Sequence, residues 1–352
     1  MAKLLQEKNR SEKAMTGKER VKKSIHFGKP DRLAYNFDQN RTPVPWPEAY
    51  GDDFIWCFLD KDPKHVDKTP EGNRIDEWGC IWETMGETFG EPTTFPWEGL
   101  EEFDDVTFPD YLADERYDSI RKIVAENVED KYVLAMLPSG IFQVMIHLFG
   151  FQDFMINVAG NTEEFKKVCE RLCDYLIKVI HKLADCGVDG FILIEDMGLQ
   201  DRMMISPAHW EEIYYPLYKK MFQAAHERGL DTMSHTCGHI VDILDMYIDS
   251  GLDVIQMDQQ DNMGLEVLSE RFAGKVCFFC SLDIQTSLDL SDEELKEQAK
   301  KMVSLLSTKR GGFMAKTYPQ PKAIHITDEY MKVMSDGFKE AVGQYEEIAV
   351  NE

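Results

Sequence analysis

The stretch Gly190–Phe–Ile–Leu–Ile–Glu–Asp196 decides the fold, because a short continuous apolar run ends directly in two acids. Similar apolar runs recur at Tyr132–Val–Leu–Ala–Met136 and Asp253–Val–Ile–Gln–Met257, with helical patterns between them. Strands that are apolar on both faces and alternate with helices are typical of a parallel sheet covered by helices. A doubly wound sheet and a barrel both fit this pattern. Polar residues after several strands favour a TIM-type (β/α)8 barrel, whose active site forms at that end of the sheet.

Residues 40–115 interrupt this regular order, because they are irregular and rich in Pro, Trp and Gly. A connection of that length without structure of its own is unusual inside a compact domain. We therefore expect residues 1–352 to form a single barrel domain. Residues 40–115 are then a lid or insertion that packs near the barrel mouth.

The formal net charge of −25 limits the partners that the chain is expected to bind. Nucleic acids and anionic membranes are bound by basic faces, so we expect neither as a partner. The first ten residues lack the apolar core of a signal peptide, and no apolar run approaches the roughly 20 residues that span a bilayer. We therefore expect a cytoplasmic protein, whose eight cysteines are core residues or metal ligands rather than disulfides.

The stretch Asp231–Thr–Met–Ser–His–Thr–Cys–Gly238 carries the most specific chemical signal. His235 and Cys237 are two residues apart at a strand end, so their side chains point to the same side. Imidazole and thiolate are preferred ligands of zinc. Cys280, at the end of another predicted strand, is the candidate for a third ligand. Three protein ligands with one open position are typical of a catalytic zinc rather than a structural one.

Further residues are candidates for roles around this zinc. Cys277 lies three residues before Cys280 on the same strand, faces the opposite side, and is expected to be core. Asp258 and Glu195 each follow a predicted strand, and either could complete the zinc shell or handle a proton as a catalytic group. The alternative for each is a carboxylate that bonds to the backbone or orients a ligand histidine. Candidates to line an aromatic substrate pocket are Trp56, Trp78, Trp82, Met136, Phe142 and Phe279.

Several short motifs follow one another along the chain: Thr16–Gly–Lys–Glu–Arg–Val21, Pro30–Asp–Arg32, Gly190–Phe–Ile–Leu–Ile–Glu–Asp196, Ser206–Pro207, His235–Thr–Cys–Gly238, Ser281–Leu–Asp283 and Gly311–Gly312. In this order they resemble the uroporphyrinogen decarboxylase superfamily over nearly the full length of the chain. The superfamily has a TIM-type barrel, so the resemblance implies the same fold as the strand pattern.

The resemblance implies one of two chemistries. Decarboxylases of the superfamily use no metal and carry an early Arg–Gln–Ala–Gly–Arg segment, which the stretch Asn36–Phe–Asp–Gln–Asn–Arg–Thr–Pro43 lacks. Corrinoid-dependent methyltransferases hold zinc with His-x-Cys and a later cysteine, which implies His235, Cys237 and Cys280 here. In the enzymes that methylate coenzyme M, the later cysteine follows the last barrel strand, and residues 316–322 contain no cysteine.

The Trp-rich region around residues 76–82 is more similar to bacterial methyltransferases that demethylate methoxylated compounds. The resemblance therefore implies zinc-dependent transfer of a methyl group from a methoxylated, aromatic substrate to cob(I)alamin on a partner corrinoid protein. Two alternatives stay open. One is a methylcobalamin:thiol methyltransferase, and the other is a metal-free decarboxylase-like enzyme or a non-catalytic tetrapyrrole-binding protein. The oligomeric state is also open, with a homodimer as one option.

Overall fold

The computed structural model describes residues 14–37, 52–83, 90–97, 107–160, 162–318 and 321–350. The strands in these ranges are β1 (Ala34–Asn36), β2 (Phe54–Cys57), β3 (Arg74–Ile75), β4 (Ile81–Glu83), β5 (Glu91–Thr94), β6 (Tyr132–Met136), β7 (Gly190–Ile194), β8 (Asp231–His235), β9 (Val254–Met257), β10 (Cys277–Cys280) and β11 (Phe313–Lys316). The α-helices are α1 (Gly17–Ile25), α2 (Asp118–Glu126), α3 (Ile141–Phe149), α4 (Phe151–Gly160), α5 (Glu163–Cys186), α6 (Pro207–Ile213), α7 (Tyr215–His226), α8 (Val241–Asp249), α9 (Leu265–Phe272), α10 (Asp292–Leu306) and α11 (Asp328–Val350).

Eight strands form one sheet in the order β1–β11–β10–β9–β8–β7–β6–β2, and every neighbouring pair is parallel. The edge strands β1 and β2 meet through Tyr35 and Asp53. The Asp53 backbone N–H donates to the Tyr35 carbonyl at 3.0 Å, and the Tyr35 N–H donates to the Asp53 carboxylate at 2.9 Å. The sheet thus curls until its two edges touch, and the predicted TIM-type barrel is confirmed.

Alternate residues of the barrel strands face the interior and form an apolar cluster. On the strands, this interior cluster consists of Ala34, Phe54, Tyr132, Leu134, Ile192, Met233, Val254, Cys277, Phe279 and Met314. Val21 and Ile25 of α1 pack on it from the N-terminal end of the barrel. Apolar residues at the intervening strand positions, such as Val133, Leu193 and Phe278, belong to a larger outer cluster that packs against the helices. Because side chains alternate along a strand, this register determines which residues reach the opposite, C-terminal mouth.

The described part of residues 40–115 contains a small antiparallel sheet of β3, β4 and β5. Trp82 of β4 contacts His147 of α3 edge to face, with ring centroids 4.9 Å apart. Other parts of the predicted lid or insertion, at 40–51, 84–89 and 98–106, lie outside the described residues. The placement of the whole segment near the mouth therefore stays a prediction.

Among the described residues, no helix taken alone is long and apolar enough to cross a bilayer. The helices α3 and α4 meet the requirement only as a pair, and the chain bends by 117° between them.

Candidate metal centre

Side chains from the ends of β7 and β8 converge at the barrel mouth. His235 Nε2 lies 3.5 Å from Cys237 Sγ and 3.4 Å from Asp196 Oδ1. The three potential ligand atoms all lie within 4.8 Å of one another. The two strands pair in the register Ile194↔His235. Because these two positions are neighbours in the sheet, His235, Cys237 and Asp196 lie close together at the ends of the strands.

The donor set and its two distances from His235 Nε2 fit a tetrahedral zinc ion. Zinc–ligand bonds of about 2.0–2.3 Å place ligand atoms roughly 3.3–3.8 Å apart at the tetrahedral angle. The two distances from His235 Nε2, 3.5 Å and 3.4 Å, fall in this range. Imidazole, thiolate and carboxylate are all ordinary zinc ligands. With three ligands from the described residues, a fourth position would stay open for water or substrate, as in catalytic zinc sites.

Hydrogen bonds with neighbouring groups fix the orientation of the candidate ligands. The His235 Nδ1–H donates to Oε1 of Gln256 on β9 at 2.5 Å, which leaves Nε2 as the nitrogen that is free for a metal. The Cys237 backbone N–H donates to Asp196 Oδ1 at 2.9 Å. Hydrogen bonds of this kind fix the tautomer and the orientation of metal ligands.

Two glycines allow the loops after β7 and β8 to cross in direct contact. The Gly198 N–H donates to the Cys237 carbonyl at 3.2 Å, and the His239 N–H donates to the Leu199 carbonyl at 2.7 Å. A Cβ on Gly198 would lie 2.4 Å from the His239 nitrogen, and one on Gly238 would lie 2.4 Å from the Gly198 carbonyl. Gly238 also has a φ of +75°, which L side chains rarely adopt. The backbone crossing that shapes the centre therefore requires glycine at both positions.

The three side chains influence one another electrostatically. Burial disfavours the His235 imidazolium, but the Asp196 carboxylate and Cys237 outweigh burial and raise the pKa of His235. Burial likewise opposes the Asp196 carboxylate, yet His235 and the Cys237 N–H bring its pKa below the usual range. Burial raises the pKa of the Cys237 thiol, so a bound cation would be needed to deprotonate it at neutral pH. The Asp196 side chain is 35% exposed, which leaves the centre open to small molecules.

The structure does not bring Cys280 to this centre. Cys280 ends β10, and its side chain is fully buried in the outer cluster, facing the helices. The alternation along β10 instead turns Cys277 and Phe279 into the interior. Burial raises the pKa of the Cys280 thiol to about 12, as expected for an unreactive core cysteine. Asp196 thus occupies the position of third candidate ligand that the sequence analysis assigned to Cys280.

Glu195 caps a helix and faces away from the centre. Its carboxylate accepts hydrogen bonds from three backbone N–H groups at the start of α3, Ile141 at 2.6 Å, Phe142 at 3.2 Å and Gln143 at 2.8 Å. It also accepts one from the Tyr218 hydroxyl at 2.7 Å. Complete burial raises the pKa of Glu195 to about 7 despite these donors. Its contacts serve the packing of α3 on β7, and its position does not support the catalytic or zinc-ligand role predicted for it.

Asp258 faces the mouth but has partners of its own. Its Oδ1 lies 2.6 Å from Lys316 Nζ and accepts a hydrogen bond from the Ser281 hydroxyl at 2.6 Å. Burial opposes the Asp258 carboxylate, but the charges of Lys316 and His235 lower its pKa. Asp258 is not a member of the three-residue cluster that the described residues form. The structure therefore places it beside the candidate centre, in electrostatic contact with His235, and pairs it with Lys316.

Tyr318, which follows β11, lies within electrostatic range of the centre. Burial raises the pKa of Tyr318 to about 12, and the negative charges of Asp258, Cys237 and Asp196 act in the same direction. The hydroxyl is therefore protonated at neutral pH and sits in the field of the candidate ligands.

Asp196 and Gln256 are parts of the centre that were not predicted from the sequence. The alternation that puts Ile192 in the interior also turns Ile194 and Asp196 inward and Glu195 outward. The alternation could be used for prediction only if the direction of one side chain on β7 were known, because the strand is apolar on both faces.

The six candidates for an aromatic pocket divide into two groups. Trp56, Met136 and Phe279 belong to the interior of the barrel. Phe142, Trp78 and Trp82 pack instead with the outer cluster.

These features define a TIM-type barrel with a candidate zinc site at the C-terminal ends of neighbouring strands. The family model described as Uroporphyrinogen decarboxylase (URO-D) matches residues 88–316, more than half of the 352-residue chain. The chain belongs to this family. The matched segment includes all three residues of the cluster. No match was found among curated proteins.

Solved structures share the fold. A methyltransferase from Methanosarcina mazei superposes with a TM-score of 0.69 at 15% identity, over 93% of this chain and 99% of that chain. A 2,3-dimethylmalate lyase of the PEP mutase/isocitrate lyase superfamily has a TM-score of 0.41 at 12% identity, over 96% of this chain and 99% of that chain. At this identity the first similarity shows the fold alone, and the second is too low to bear on function.

Proposed function

We propose that this protein is a zinc-dependent methyltransferase that moves a methyl group from a methoxylated aromatic substrate to cob(I)alamin on a partner corrinoid protein. The observation that carries the proposal is the Asp196–His235–Cys237 cluster, at the mouth of a barrel of this family. A structural neighbour described as a methyltransferase supports the same kind of reaction.

In the proposed reaction the methyl carbon passes in line from the ether oxygen to the cobalt nucleophile. The electron pair of the broken C–O bond stays on the oxygen, so the leaving group is an alkoxide or phenolate. Such an anion leaves poorly because it is basic. Zinc would supply Lewis acidity that stabilises the charge on this oxygen. The task of the protein is to hold that ion, orient the substrate and exclude water.

Individual residues have distinct roles in this scheme. Asp196, His235 and Cys237 would hold the ion with one position open toward the substrate. Gln256 keeps His235 in the tautomer that presents Nε2. The Tyr318 hydroxyl, a protonated group at neutral pH, could donate a hydrogen bond in the field of the candidate ligands. That donor suits an oxygen on which negative charge develops.

The two halves of the barrel mouth differ in polarity, which supports an aromatic ether as substrate. The interior-facing residues near the ends of β8, β9 and β11 are polar: His235, Gln256, Asp258 and Lys316. Those of β2 and β6 are apolar: Trp56 and Met136. Ligand sites are commonly apolar with a few placed polar groups. A ring against the apolar half would leave the ether oxygen toward the polar half.

The proposal is tested by zinc content and by methyl transfer to free cob(I)alamin with methoxyphenols as donors. We expect about one zinc per chain and loss of both zinc and transfer in Cys237→Ala and Asp196→Ala. Cys280→Ala is the matched control, since it removes a thiol that lies outside the cluster, and it should retain both. Methyl transfer by zinc-free protein would contradict the mechanism.

The cluster also fits the alternative function of a methylcobalamin:thiol methyltransferase, because a substrate thiolate is a good ligand for an open zinc position. A donor and acceptor screen separates the two reactions. Methylation of cob(I)alamin by methoxyphenols supports the ether reaction, whereas methylation of a thiol by methylcobalamin without any ether activity supports the alternative. A metal-free decarboxylase-like enzyme predicts neither zinc nor transfer.

A further inference from the structure

Asp196 is held by α3 as well as by the loop after β8. Its backbone N–H donates to Gln143 Oε1 at 3.2 Å. The Gln143 backbone N–H in turn donates to the Glu195 carboxylate at 2.8 Å. The first turn of α3 therefore forms hydrogen bonds with both residues that follow β7, Glu195 and Asp196. This contact fixes the backbone of Asp196.

His147, one turn further along α3, determines how the Gln143 amide is oriented. Its Nε2 lies 2.9 Å from Gln143 Nε2. The Asp196 N–H is a donor, so the oxygen of the Gln143 amide must face it, and the amide nitrogen must face His147. An amide nitrogen only donates, so His147 Nε2 must accept and its proton must sit on Nδ1. The three groups are thus compatible in one tautomer of His147.

The surroundings of His147 are consistent with that neutral form. Trp82 of β4 packs edge to face on the ring at 4.9 Å between centroids. Burial lowers the pKa of His147, while Asp76 and Asp196 act to raise it and Arg74 acts to lower it. The Trp82 indole is itself held by a hydrogen bond to Asp76 at 2.8 Å. The small antiparallel sheet thereby keeps the imidazole in place against α3.

We propose that Gln143 and His147 are positioning residues that hold Asp196 where it can serve as a metal ligand. The proposal rests on the proposed function, since it needs Asp196 to bind the metal. Partners of this kind typically contribute 10- to 100-fold to metal affinity. Neither side chain belongs to the cluster itself.

Zinc affinity, measured by competition with a chromophoric chelator, tests the positioning role without any assay of activity. Gln143→Leu should bind zinc about 10- to 100-fold more weakly than wild type. Gln143→Glu should restore binding, because one carboxylate oxygen accepts from the Asp196 N–H and the other accepts from His147. Gln223→Leu makes the same chemical change on the exposed face of α7, where Gln223 bonds only to Glu227 among the described residues, and should have no effect.

Nitrogen-15 NMR of the histidine rings supplies a signature that a merely structural role would not give. In the wild type, His147 should carry its proton on Nδ1. In Gln143→Glu, His147 should switch to the Nε2–H tautomer or become protonated, because its neighbour is now an acceptor. This readout does not depend on whether zinc is bound.

The outcomes separate the two proposals. If the wild type binds zinc and Gln143→Leu binds it equally well, the positioning role is overturned and the proposed function stands. The Nε2–H tautomer of His147 in the wild type would also overturn the positioning role. If the wild type binds no zinc at all, the proposed function fails, and the role of the pair in holding a metal ligand fails with it.

Discussion

The Asp196 carboxylate lies 3.4 Å from His235 Nε2, across the pairing of the neighbouring strands β7 and β8. A metal held by these two side chains is bound at the ends of two adjacent strands, β7 and β8. Cys280 would have had to reach the same point from β10, with β9 between, and from the outer face of its strand. Strand adjacency and side-chain direction together favour the acid over the cysteine.

Gly238→Ala should disrupt the candidate centre. The new Cβ would lie 2.4 Å from the Gly198 backbone, in addition to the strain of a φ of +75°. Gly229→Ala is the control, since Gly229 has a φ of +76° but no atom within 4 Å of the added Cβ. We expect the control to lose about 1–2 kcal/mol of stability and keep its zinc. Gly238→Ala should lose zinc affinity at least tenfold, and equal zinc binding by the two variants would show that the loop crossing is unimportant.

Asp53→Asn should destabilise the contact between the edge strands β1 and β2, where the barrel closes. The Asp53 carboxylate, 3% exposed, contacts Arg20 at 2.5 Å and Arg32 at 2.8 Å. Arg20 would keep Asp31 as a partner at 2.6 Å, so the expected loss is roughly 1–3 kcal/mol, the cost of leaving buried donors without their charged acceptor. Urea denaturation measures the loss. The exposed pair Lys61–Asp67 provides the comparison, and Asp67→Asn should change stability by less than about 1 kcal/mol.

Stability should fall as the pH rises above neutrality, because two histidines at the N-terminal end of the barrel pair with acids. His26 bonds to Asp231, and His226 bonds to Asp253, each at 2.8 Å. These hydrogen bonds raise the pKa of both histidines, so the native state favours the protonated rings. The resulting stabilisation is complete below about pH 6.5, the unfolded value, and is lost as the pH rises through the raised native pKa values.

Both rings are about half exposed, so water screens each pair and its contribution is roughly 0.5 kcal/mol. A series of denaturation curves between pH 6 and pH 9 checks this expectation. The double variant His26→Gln and His226→Gln should show a flatter profile over that range. An unchanged slope in the double variant would assign the pH dependence to other groups.

Zinc should stabilise the native protein through the same three side chains. At a free zinc concentration about 100-fold above Kd, the free energy of unfolding should rise by about 2.7 kcal/mol. Thermal unfolding with zinc and with a chelator measures the difference. Cys237→Ala should show the same Tm under both conditions, and a zinc-dependent shift that survives in this variant would place the metal elsewhere.

The fold could be predicted from the sequence, and the directions of several side chains could not. Continuous apolar runs such as 190–194 predict buried parallel strands, but they have no alternation that tells the inner face from the outer. His235 and Cys237 were correctly grouped because the two residues share a face whichever way the strand is turned. Glu195 and Cys280 were assigned to the mouth from their place at a strand end alone, and each lies on the outer face of its strand.

The sulfur content of the metal shell tests the central claim most directly. X-ray absorption spectroscopy at the zinc edge counts sulfur ligands at about 2.3 Å against nitrogen and oxygen ligands at about 2.0–2.2 Å. The Asp196–His235–Cys237 cluster predicts one sulfur, which disappears in Cys237→Ser and persists in Cys280→Ser. Two sulfur ligands in the wild type, or a zinc shell without sulfur, would contradict this ligand set.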